Sequence, residues 1–152
     1  MTNAELDARV EQMLEQPYWV IDFLPAQAPA RPGNYAAVER YFLEPSRVVS
    51  LRERLARVLL RLNCYHDIWT CAGADGWTHN PSPQTLVDML AACVPAGDGP
   101  RQVNVLMGEC DALLTLDAGD LYATLYGPSD SLLDLVCAVA QTEGLCVWQP
   151  PQ

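Results

Sequence analysis

The chain has 152 residues, half of them apolar and under a fifth charged, with nine Arg, no Lys and a formal charge of −10. That is enough apolar material for one substantial core and too little charge density for disorder. The acidic balance excludes phosphate neutralisation as a mode of binding, and with it nucleic acid and anionic membrane surfaces.

Residues 4–15 form a short amphipathic helix, with Leu6, Val10, Met13 and Leu14 at helical spacing, stopped by Pro17. This acidic N-terminus lacks the basic, hydrophobic and small-residue zones of a secretion signal. No apolar run reaches the roughly 20 residues of a membrane helix. The expectation is a cytoplasmic protein whose six Cys are thiols, mostly small buried hydrophobes.

Tyr18–Pro25 (YWVIDFLP) predicts a strand covered on both faces and interrupted by the carboxylate of Asp22. A buried Asp22 calls for a partner, and an Arg of the basic helix described next is the natural candidate. Residues 25–34 form a Pro/Ala loop. Asn34–Leu43 fits either a short helical face or an extended aromatic segment.

Residues 46–62 give the most prominent element, a helix with Ser46 as its cap. Val48, Leu51, Leu55, Val58, Leu59 and Leu62 fall on one side. Arg47, Arg54, Arg57 and Arg61 form a stripe on the other, with Arg52 set apart on the apolar side near the helix start. The stretch Arg47–Arg61 carries a net +4 in a chain whose remainder carries −14. These guanidinium groups should meet carboxylates of the same chain or of a second copy, with a small anionic ligand as the lesser possibility.

Cys64–Cys71 predicts a strand that places Cys64 and His66 on one face and Asp67 on the other. Residues 72–83 are a Gly/Asp/Asn/Pro loop, and its Trp77 should be exposed as a pointer to a partner surface. Ser82 caps the next helix, which enters through Pro83 and ends before Pro95. Residues 102–107, 112–116 and 121–126 alternate as three short strands joined by hairpin-length turns, a three-stranded antiparallel meander. A last helix follows, capped by Ser129 or Asp130 and ended by Gly144, and residues 145–148 form a final strand. The order predicts a single α+β domain over residues 1–152: a mixed sheet containing the meander, packed by three to four helices.

The chemistry-bearing candidates are few. Cys64 and His66 could form a thiol–imidazole pair for a small hydrolase or transferase with an Arg-lined anion site, but Asp67 points away from His66 and cannot orient it. Cys64, His66, Cys71 and His79 do not match the spacing of zinc knuckles. Glu109, Asp111, Asp117 and Asp120 lie in turns at opposite ends of one strand. No nucleotide, metalloprotease, nucleophile-elbow or kinase motif is present, so neither a cofactor nor a metal is implied.

At residues 18–25 (YWVIDFLP), 41–43 (YFL), 62–65 (LNCY) and 143–148 (EGLCVW) the chain resembles a small family of anaerobic and gut-dwelling bacteria with no assigned activity. The resemblance spans about Tyr18 to Pro150. It implies one intact domain in a bacterial cytosol and carries over no catalytic or binding residue. The leading expectation is a non-enzymatic binding or regulatory module acting through protein contacts, including self-association, at Arg47, Arg54, Arg57, Arg61, Trp77 and Asp22. The alternatives are the Cys64–His66 enzyme and a ligand-sensing domain whose cavity would use Asp22 and Tyr122 as polar contacts.

Overall fold

The structure, a computed structural model, describes residues 1–109 and 111–151; Cys110 and Gln152 lie outside the described residues. Among the described residues five helices and seven strands follow one another as α1 (Asn3–Met13), β1 (Tyr18–Asp22), α2 (Tyr35–Phe42), α3 (Pro45–Asn63), β2 (Ile68–Ala72), β3 (Thr78–His79), α4 (Pro83–Ala92), β4 (Gln102–Met107), β5 (Ala112–Asp117), β6 (Ala123–Tyr126), α5 (Asp130–Thr142) and β7 (Cys146–Trp148). The class is α+β. The sheet has the order β3-β2-β4-β5-β6-β1-β7, with β4, β5 and β6 consecutive at its middle.

Every neighbouring pair is antiparallel, which corrects the expected mixed sheet. The reason is topological. A helix between two strands returns the chain in the same direction, so β6 and β7 run parallel, as do β3 and β4. In each case one strand is inserted between the parallel partners, β1 in the first and β2 in the second. The crossovers are real, but they skip a strand, and adjacent strands therefore always oppose.

Several boundaries also differ from the sequence reading. Helix α3 starts two residues earlier than expected, at Pro45, whose fixed φ suits the first helical position; Glu44 takes the cap position and Ser46 sits inside the helix. At its other end α3 runs through Asn63, and the amides of Cys64, Tyr65 and His66 bond back to carbonyls of Arg61 and Leu62. Residues 64–67 are thus the close of a helix, and β2 begins only at Ile68. The ambiguous stretch 34–43 is helical, which adds a fifth helix to the expected three or four. The loop after β2 contains the two-residue β3.

Other termini follow the expected chemistry. Thr2 and Glu5 form a reciprocal capping box at α1. Ser82 Oγ accepts from Thr85 N–H at α4 and Ser129 Oγ from Leu132 N–H at α5. Gly144 adopts φ +70° after α5; its amide reaches Gln141 O and the next amide, of Leu145, reaches Ala140 O. That pair of bonds satisfies carbonyls that the helix end would otherwise orphan.

One face of the sheet carries the main core. Leu55, Val58, Leu59 and Leu62 of α3, Leu86 and Leu90 of α4, and Val136 and Ala140 of α5 pack on Val103, Val105, Leu114, Leu116 and Leu125 of the central strands. The apolar side of α3 is inward, as its spacing requires. On the opposite face, α1 lays Leu6 and Met13 over Leu106 and Leu113, closed by Trp69, Trp77 and Tyr126. Burying each such side chain contributes roughly 1.5–3 kcal/mol. That second layer covers only part of the sheet. Over β6, β1 and β7 the covering is the 25–34 loop and the edge of α2, and beneath them lies a cavity. Among the described residues no helix is long and apolar enough to cross a membrane.

Candidate functional site

The arginine stripe is mostly engaged within the chain. Arg57 Nε reaches Glu143 Oε2 at 2.8 Å, and Arg61 binds the other carboxylate oxygen. Arg47 pairs with Glu44 and lies over the Tyr41 ring, 3.7 Å from its centroid. Arg54 borders a shallow groove with Phe23, Tyr41 and Leu51. The hydrogen bonds from Arg61 and Arg57 hold the Glu143 carboxyl below its ordinary range. A depressed acid contributes stability above its unfolded pKa and loses it as pH falls through the folded value. Glu143→Gln should therefore cost up to about 1 kcal/mol at neutral pH and low salt, because both guanidinium groups are half exposed. In urea titrations the difference should vanish near 1 M salt, where the screening length is about 3 Å, and should shrink in acid. A difference indifferent to salt would show that Glu143 acts by packing.

Arg52, the guanidinium set apart in the sequence, is 1% exposed. Its Nε donates to Cys93 O at 2.8 Å, and Nη2 donates to Asp120 O at 2.8 Å and Ala118 O at 3.2 Å. It thereby ties α3 to the end of α4 and to the turn after β5. Asp120 and Tyr122 emerge from that turn into the cavity.

Three other sequence expectations change. Trp77 is not freely exposed: its indole N–H donates to Asp7 at 2.8 Å and its ring packs with α1. Helix α1 reaches across the sheet to cover it, a long-range contact that no local pattern announces. Asp22 is 5% exposed, as its setting among apolar residues suggests, but its partner is no arginine; its Oδ1 accepts from the Phe23 amide at 2.8 Å. The stripe lies on the other side of the sheet. Cys64 closes α3 and donates its thiol to Leu60 O at 3.4 Å, so it is directed along its own helix instead of towards a base. Asp67 accepts from Asn80 at 2.9 Å and lies 3.7 Å from His79, and His79 stacks on Trp69. Cys64, Cys71, Cys93, Cys137 and Cys146 are free thiols. Among the described residues no three His, Cys, Asp or Glu converge in a way that could hold a metal ion.

The cavity, of about 860 Å³, is built from alternating positions on neighbouring strands. Tyr18, Val20 and Asp22 of β1 share one face. Opposite Tyr18 in the register stands Tyr126, opposite Val20 on one side Thr124 and on the other Trp148. The Tyr18 and Tyr126 rings are tilted with centroids 5.5 Å apart. Tyr122 and Asp120, just before β6, continue the wall. Helix α2 adds Tyr35 and Glu39, one helical turn apart and joined by a 3.1 Å hydrogen bond from the phenol to the carboxylate. Residues Gln27–Ala30 and Gly33–Asn34 of the loop form the roof.

This wall is electrostatically one-sided. Burial pushes the Asp22 carboxyl up, and the amides of Phe23 and Leu24 and the Trp148 indole only partly offset it. Burial also raises Asp120, with Asp117 and Glu39 adding to the effect and Arg52, outside the cavity lining, opposing it. Tyr35 is raised far above an ordinary phenol by burial and then by Glu39. Tyr122 is raised by burial, then by Asp120, Glu39 and Asp22. No Arg or His stands among the lining residues. The Trp148 indole nitrogen is buried and forms no hydrogen bond of normal geometry, although it lies close enough to Asp22 to favour the charged carboxylate.

Asp22 and Tyr122 thus line one cavity, together with Tyr18, Tyr35, Glu39, Asp120, Tyr126 and Trp148, which sequence reasoning did not join to it. The visible signals were the alternations Tyr18-Val20-Asp22 and Tyr122-Thr124-Tyr126. Compared with known proteins, the chain matches no family model, no curated protein and no solved structure. The function has therefore to be argued from the cavity itself.

Proposed function

We propose that this chain is a non-enzymatic binding domain that holds a small molecule in the cavity over β6, β1 and β7. The observation that carries the reading is the cavity's construction. Its volume falls within the range of small-molecule sites, about 300–1,000 Å³. Its walls combine large aromatic faces with a few polar groups, and one of these, Asp22, is nearly inaccessible. Burying the Asp22 carboxylate costs free energy that its neighbours only partly offset, and a ligand offering complementary groups would recover it. Action through protein contacts at Trp77 or the arginine stripe has less support, because Trp77, Arg47, Arg57 and Arg61 already meet partners within the chain.

A fragment screen followed by ¹⁵N-resolved NMR tests the reading. Fragments should shift the Trp148 indole resonance together with amides of residues 27–36 and 120–126. Ala36→Phe, at an exposed helix position on the cavity rim, should fill the space and remove those shifts while the rest of the spectrum is preserved. Fragments that shift only other regions, or that still bind the Ala36→Phe variant unchanged, would overturn it.

A further inference from the structure

Resting on the pocket reading above, we infer that the ligand is an organic cation, an ammonium or guanidinium compound. Four features converge on that chemistry.

The first is the charge of the wall. Asp22, Glu39 and Asp120 face one space with no cationic side chain among the lining residues. An anionic ligand would add to their mutual repulsion, and a neutral one would leave Asp22 without a charged partner in a desolvated site. An ammonium or guanidinium supplies donors and opposite charge together.

The second is the aromatic content. Tyr18, Tyr35, Tyr122, Tyr126 and Trp148 surround the same volume. Aromatic faces carry negative potential and attract cations by about 0.5–2 kcal/mol each, most when desolvated. They also cover the apolar stem on which an organic cation carries its charge.

The third is Trp148. Its indole N–H lies beside Asp22 and favours the charged carboxylate, opposing the effect of burial, so the group best placed to meet a cation is helped to stay ionised.

The fourth is the field of the whole molecule. The formal charge of −10 attracts cations at a distance, and a concave low-dielectric wall concentrates that attraction.

N-acetyl-arginine amide and N-acetyl-lysine amide carry the required charge, and N-acetyl-citrulline amide is a near-isostere of the first without it. Titrating these three, with choline, spermidine, a set of neutral aromatic fragments and a set of carboxylates, into the full chain separates the outcomes. The Trp148 indole resonance, assigned with Trp148→Phe, and calorimetry are the readouts. The expected result is that cations shift the indole at least tenfold more tightly than the citrulline compound or the carboxylates. Glu39→Gln, on the partly exposed face of α2, should weaken the cations about tenfold and the neutral fragments by a clearly smaller factor. If neutral or anionic probes occupy the cavity as well as the cations do, the cation inference falls and the pocket reading stands. If no probe in any set shifts the indole, both fall.

Discussion

Arg52→Ala should lower the stability of the domain by about 3–5 kcal/mol, a large part of the 5–15 kcal/mol available to a typical domain. The guanidinium is wholly enclosed and spans carbonyls of three segments: Cys93 after α4, Asp117 and Ala118 at the end of β5, and Asp120 before β6. Truncation orphans these acceptors in the interior, at about 1–3 kcal/mol for each one left unsatisfied, and opens a void beside Cys93. Burial pulls the Arg52 pKa down, with Asp120 and Asp117 opposing; with its carbonyl partners it remains a cation, since an arginine does not lose its proton in a protein. Arg52→Met should recover packing but not the bonds, and Arg52→Lys should recover one side of the clamp, because a single ammonium cannot reproduce the planar fork. Urea denaturation followed by circular dichroism measures all three. A loss under about 1 kcal/mol for the alanine variant would mean that water replaces the guanidinium at these carbonyls.

Asp22→Asn should act in the opposite sense on stability and sharply on binding. The folded state raises the Asp22 pKa by burial. A raised acid contributes stability below its unfolded pKa and loses that contribution as pH rises through the folded value. At neutral pH the ionised carboxylate is therefore a net burden. Asparagine keeps an oxygen for the Phe23 amide and removes the charge. The variant should be more stable by about 1 kcal/mol at pH 7, or roughly 2–4 °C in melting temperature for a chain of this size. The gain should disappear in acid, where the wild-type side chain is itself neutral. Binding of the cationic probes should fall at least tenfold in the same protein. Thermal melts across pH, paired with the indole titration, check both halves. A variant that is less stable at pH 7 would show that the carboxylate is held by bonds stronger than its desolvation.

Most of the architecture could be seen in the residues, because it depends on short-range chemistry. The apolar spacing of Leu51, Leu55, Val58 and Leu62 orients α3, Ser82 and Ser129 start their helices, and Gly144 ends α5. The departures occur where distant segments decide. Whether a crossover strand lands beside its partner or one place further is not encoded in either strand, and this converted a mixed sheet into an antiparallel one. Trp77 sits in a polar loop whose composition indicates exposure, yet α1 comes from the other end of the chain to cover it. The cavity shows the same division. Asp22 stood out locally as a carboxylate among apolar residues, and Tyr122 as a large amphipathic side chain. Their meeting with Tyr35, Glu39 and Trp148 needed β1 to lie between β6 and β7, and only that placement gives the wall its chemistry.

The two outermost strands have a bearing on how copies of this molecule behave together. β3 offers two residues and β7 three, and two prolines without amide hydrogens follow β7 after a single glutamine. A rim so brief gives another polypeptide little backbone to pair with, which is how natural sheets avoid templating fibres. The wide strands that could recruit a neighbour, β4 and β5, are enclosed at the centre. The domain can therefore keep a broad, strongly apolar sheet at high concentration without its margins becoming a point of aggregation.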